Sequence, residues 1–144
     1  MSLPSLVTFL FAAGIGQIVL ILASLAIPRV LRWREQTAQM RPLTRQLFWT
    51  YAGYIWVTNL CFGLVSTFLP AALVDGSPLA AAVTGYMALY WAARLVIQFA
   101  YFDRSDAPAG WHIRLAEVGL VGLFIFLALV YGSAVLVNVR EITR

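Results

Sequence analysis

The chain has 144 residues, of which 62% are hydrophobic and 11% charged, with a formal charge of +4 and a mean hydropathy of +0.84. That composition lies outside the range of soluble domains and predicts a single membrane domain over residues 1–144. All the basic residues are arginine, with no lysine, and all but Arg94 gather near the ends of apolar runs without any nucleic-acid-binding motif. The charge is therefore assigned to anionic lipid headgroups, and nucleic acid is excluded as a partner.

Leu3 to Ile27 is the first predicted span. It lacks a basic segment before it and is longer than a signal-peptide core, so it is expected to stay in the membrane. Gly14 and Gly16 offer close helix approach, and mid-span Gln17 needs a partner on a neighbouring helix. Residues 28–46 follow, with Arg29, Arg32, Arg34, Arg41 and Arg45 against Glu35 alone, and with Trp33 at the headgroup level. Such a loop stays in the cytoplasm. Pro42 suits the first turn of the next helix, where its missing N–H costs nothing.

The second span is predicted over 47–73 and is the most polar. Asn59, Gly63 and Ser66 share one face at spacings of four and three, which predicts an interhelical contact. Pro70 is expected to bend its last turn, and Cys61, alone among apolar residues, to be a small buried hydrophobe. Asp75-Gly76-Ser77-Pro78 reads as an outward turn, with Ser77 the N-cap and Pro78 the first residue of the third helix. That third span, 79–102, would be about 36 Å long and carries one charge, Arg94. The fourth, 113–137, has Glu117 in its first turns, Gly119 and Gly122 on an expected close-packing face, and Tyr131 toward its outer end. An all-α bundle of four transmembrane helices with both termini outside the cytoplasm follows, multi-pass in a bacterial cytoplasmic membrane.

Arg94 lies about 12 Å in from Phe102 along the helix axis and has to find partners in protein or snorkel. Tyr86, Tyr90, Arg94 and Gln98 form a row with Trp91 at its flank, all at helical spacing. Aromatic faces and an amide can hold a guanidinium while it presents donors to an anion, so Arg94, Gln98, Tyr90, Trp91, Tyr86 and Asn59 are the candidate ligand-binding residues. The other reading is an ion pair between Arg94 and Glu117 on the next helix. Asp103, Asp106 and His112 are the one group resembling metal ligands, and their spacing fits no metal. With one histidine, bis-histidine haem ligation within the chain is excluded. No nucleophile elbow, phosphate loop or paired mid-membrane carboxylate is present, so no catalytic residue, metal or cofactor is assigned.

The plan of four spans, a basic first loop and external termini is similar to that of the small membrane-associated glutathione and eicosanoid enzymes. Their charged motif on the second helix has no counterpart in Leu47 to Leu73, so no residue role transfers. The expected function is non-enzymatic, through packing with itself or a membrane partner, with a lipid or apolar ligand beside Arg94. A homo-oligomeric transporter or channel for a small anion is the alternative, and a membrane enzyme acting on a lipid-like substrate the second. Membrane lipids and further subunits are the expected partners.

Overall fold

The computed structural model describes residues 3–101 and 110–144, and every regular element in them is helical. In chain order these are α1 (Leu3–Ser24), α2 (Ile27–Val30), α3 (Trp33–Ala38), α4 (Pro42–Phe68), a 3-10 turn (Ala72–Val74), α5 (Pro78–Ala100) and α6 (Trp111–Ile142). Leu3–Val30, Pro78–Ala100 and Arg114–Ile142 are long and apolar enough to cross a membrane. α4 matches them in length but carries more polar side chains, including Arg45, Gln46, Thr50, Thr58 and Asn59.

The turn before α5 forms as its residues dictate. Ser77 Oγ accepts from the Ala80 amide at 3.1 Å, and Pro78 opens the helix. α4 likewise starts at Pro42, as that residue suits, with the start of the expected span at Leu47 inside it, and stops at Phe68, short of the expected Leu73. Pro70 therefore does not bend that helix. It follows Leu69, which leaves helical geometry (φ −130°) because the residue before a proline is crowded out of the α region. α6 outruns its expected bounds at both ends.

α1 runs antiparallel to α4, α4 to α5, and α5 to α6, as the facing pairs Gly14/Thr67, Ile18/Gly63, Asn59/Tyr90, Phe62/Tyr86, Trp91/Phe124 and Thr84/Asn138 require. Each of α1, α5 and α6 turns one stripe inward at alternating steps of three and four. The stripes are Leu6, Leu10, Ala13 and Gln17; Ala80, Thr84, Met87 and Trp91; and Phe124, Leu127, Tyr131, Ala134 and Asn138. The opposite faces are also apolar, with Leu22, Leu89, Val118 and Leu129 all exposed. Helices that are apolar all round suit a lipid surround.

In lipid, transferring an apolar side chain to the core gains little, so close backbone packing and hydrogen bonds decide which faces meet. α1 and α4 meet at Gly14: a Cβ there would lie 2.6 Å from the Thr67 amide nitrogen and 2.9 Å from the Gly63 carbonyl oxygen. Gly119 and Gly122 do the opposite of what was expected. Nothing among the described residues lies within 4 Å of a Cβ at either, and both sit on the outer side of α6, where their spacing follows no inward stripe. Cys61 is exposed, because the inward face of α4 is set by Asn59, Gly63 and Ser66, one step around the helix.

Two buried polar clusters tie the bundle together. Tyr131 Oη lies 2.6 Å from Ser66 Oγ and accepts from Gln17 Nε2, joining α6, α4 and α1. Asn138 accepts from the Gly76 amide at 3.0 Å and donates to the Leu73 carbonyl at 2.9 Å and to Thr84 Oγ1 at 3.4 Å. That one amide fastens the α4–α5 turn to the end of α6.

Candidate functional site

The phase set by Ser77 and Pro78 places Thr84, Met87 and Trp91 inward on α5, so Tyr86, Tyr90, Arg94 and Gln98 fall beside that stripe. Trp91 is buried; Tyr90, Arg94 and Gln98 are half-buried; Tyr86 is exposed. Asn59 on α4 donates from Nδ2 to the Tyr90 hydroxyl at 3.0 Å and to the Ile55 carbonyl at 2.9 Å. Phe62, one turn along α4, meets Tyr86 and Tyr90 edge-on, with ring centroids 5.7 and 5.3 Å away.

On the other flank, the Trp91 ring lies 5.2 Å from Phe124 of α6, and the Arg94 guanidinium carbon sits 5.1 Å from the centre of that same Phe124 ring. A guanidinium over an aromatic face is held there by the attraction of the ring's π-electrons for the cation. Phe124 thus anchors both the cation and the indole beside it.

Two polar atoms of this region are buried without a hydrogen-bond partner among the described residues: Asn59 Oδ1, an acceptor, and Trp91 Nε1, a donor. They belong to the residues on either side of Tyr90. Next to them, α4 and α5 part to leave an apolar groove of about 410 Å³ lined by Cys61, Phe62, Val65, Ala82, Val83, Tyr86 and Met87. Arg94 lies two to three helical turns along α5 from that groove.

The candidate residues therefore come together in two linked groups. Asn59, Tyr86 and Tyr90 gather around Phe62, while Trp91 and Arg94 gather on Phe124, with Gln98 one turn further along α5. Glu117 is half-buried between exposed neighbours and lies two turns before Phe124 on α6, which turns it toward the α5–α6 seam. Asp103 and Asp106 lie outside the described residues. His112 stacks on Trp111 with centroids 4.0 Å apart.

Phe124 and Asn138 are the residues that sequence reasoning passed over. A signal for them exists: Glu117, Phe124, Tyr131 and Asn138 recur every seven residues, the period of a helix seam. In a helix that is apolar on all sides the repeat is faint, and a span ending at Val137 cut Asn138 off. Searches against family models, curated proteins and solved structures found no match for the chain.

Proposed function

We propose that this protein is a non-enzymatic bundle of four transmembrane helices, both termini outside the cytoplasm, that binds an anionic lipid or similar amphiphile along the α4–α5 seam. The observation that carries the reading is Arg94: a cation held on the Phe124 ring within a helix apolar enough to cross the membrane, in line with an open apolar groove. The anionic head of the ligand lies against the Arg94 cation near Gln98, and its chain runs along Tyr90 and Tyr86 into the groove. Asn59 and Tyr90 form the wall between them.

The return path of the chain supports four crossings. α1 and α5 are each antiparallel to α4 and so run in the same direction; if both cross, the chain must come back between them, and α4 is the long helix there. The arginines of 28–46 support a cytoplasmic side for that connection. In this reading Glu117 is the countercharge that Arg94 faces when no ligand is bound. A double-mutant cycle with Arg94→Gln and Glu117→Gln should show a coupling of about 1 kcal/mol or more. Packing with a second copy or a membrane partner is assigned to the outward face of α4, where Thr50, Tyr51 and Tyr54 are exposed.

The test is lipid retention after extraction into nanodiscs of neutral lipid, read by mass spectrometry. Wild type should retain an anionic amphiphile. Arg94→Gln should retain less of it, and Ala82→Phe, which fills the groove from an exposed position, should likewise retain less than wild type. Equal retention by all three proteins would remove the basis of the reading.

A further inference from the structure

A second site lies where α1 ends. The chain leaves α1 at Ser24, makes the short α2 and reverses at Arg32, whose backbone is left-handed (φ 48°, ψ 43°) although it is not glycine. Left-handed geometry costs an ordinary residue on the order of 1 kcal/mol and persists where surrounding packing imposes it. Here that packing is aromatic. Trp33 meets Phe48 and Trp49 edge-on at 5.0 and 6.0 Å, and those two rings meet each other at 5.9 Å, so α3 is held back against the start of α4.

The reversal leaves a cleft of about 470 Å³ whose lining includes Arg29, Arg32, Arg34, Glu35, Trp49 and Trp56. Three cations face one carboxylate there. Glu35 meets Arg32 at 3.8 Å, in an exposed pair of small energetic weight. Arg29 and Arg34 have no carboxylate within ion-pair distance among the described residues. Like charges gathered on a strained turn repel one another, and an anion in the cleft relieves that repulsion.

We infer that this cleft is a binding site for a phosphate group, carried by an anionic phospholipid or free in solution. Guanidinium forks match phosphate oxygens in pairs, which a carboxylate-poor arginine cluster leaves open to an incoming ligand. Trp49 and Trp56 supply the walls: indole rings sit at the depth of lipid headgroups, apolar body toward the chains and N–H toward water. The site is separate from Arg94 and stands whether or not the α4–α5 seam holds a ligand.

The protein in nanodiscs tests this. Wild type in phosphatidylcholine discs doped with phosphatidylglycerol should retain phosphatidylglycerol over phosphatidylcholine by about tenfold or more, the contribution of two arginines near a headgroup. In an Arg94→Gln background, which removes the anion site proposed for the α4–α5 seam, R29Q/R34Q should abolish the remaining preference, while R140Q/R144Q, with the same change in charge at the far end of α6, should keep it. Brominated phosphatidylglycerol should quench tryptophan emission in wild type and less so in R29Q/R34Q. Inorganic phosphate, titrated into detergent-solubilised protein, separates the two sources. Millimolar phosphate that raises the melting temperature of wild type but not of R29Q/R34Q, with no lipid preference, assigns the site to free phosphate. Equal behaviour of wild type and R29Q/R34Q in both arms, or equal loss in R140Q/R144Q, overturns the inference. Both pairs are exposed, and unchanged helical circular dichroism establishes that each variant is folded.

Discussion

Tyr131 shows what a single hydroxyl does in this bundle. It is buried between Gln17 and Ser66, so Tyr131→Phe leaves two polar groups of other helices without their partner. Hydrogen bonds between membrane helices contribute less than the cost of an orphaned group in a dry core suggests, so the expected loss is about 1 kcal/mol, read by reversible unfolding in mixed micelles. Asn138→Leu removes three bonds at once and should cost roughly twice that, with faster amide exchange confined to residues 69–77. At the surface of the same turn, the Ser77 hydroxyl and amide hold the Asp75 carboxyl below its ordinary range. A depressed carboxyl stabilises the folded turn above its unfolded value near pH 3.9 and loses that contribution as pH falls through the lower folded value. The Ser77 amide resonance should therefore move as pH falls below about 4 in wild type and stay still in Asp75→Asn.

Among elements, the closest joint is the crossing of α1 and α4. A methyl group at Gly14 would press on backbone atoms of α4 that have no freedom to turn away, so Gly14→Ala should destabilise by about 2 kcal/mol. Gly63→Ala meets Ile18 Cγ1 at 3.0 Å and the Gly14 carbonyl oxygen at 3.3 Å, each farther than the backbone atoms facing Gly14, and should cost less. Gly53, with nothing within 4 Å, is the control: alanine there should be neutral or add up to about 1 kcal/mol through helix propensity. Equal destabilisation by Gly14→Ala and Gly53→Ala in the same unfolding assay would show that the crossing is looser than its geometry. Between α4 and α5, by contrast, a few side chains bridge a gap, which is what leaves room for the groove.

At the scale of the whole molecule, the proposal of four crossings makes a topological prediction. In a Cys61→Ser background, Gln39→Cys should react with a membrane-impermeant maleimide only from the cytoplasmic side and Asp75→Cys only from outside. Reaction of both from one side would mean that α4 lies along the membrane surface instead of crossing. Tyr54→Cys in that background, exposed on the outward face of α4, adds a readout of association. If α4 faces a second copy, mild oxidation in the membrane should yield a disulfide-linked dimer that the Cys61→Ser protein without Tyr54→Cys lacks.

Composition and run length by themselves determined a helical protein with helices able to cross a membrane, because a helix satisfies its own backbone in lipid whatever surrounds it. Local rules also placed the Ser77 cap, the Pro42 start and the need of Gln17 for a partner, since each depends on residues within a turn or on a polar group that hydrocarbon cannot satisfy. Which partner each group takes was decided only by the tertiary structure. The outward faces are as apolar as the inward ones, so Phe124 beneath Arg94, Tyr131 between two helices and the exposure of Cys61 carry no hydropathy signal. They follow from the phase in which α5 and α6 meet and from the close backbone crossing at Gly14, where the shapes of two helices select the contact that hydrophobicity leaves undecided.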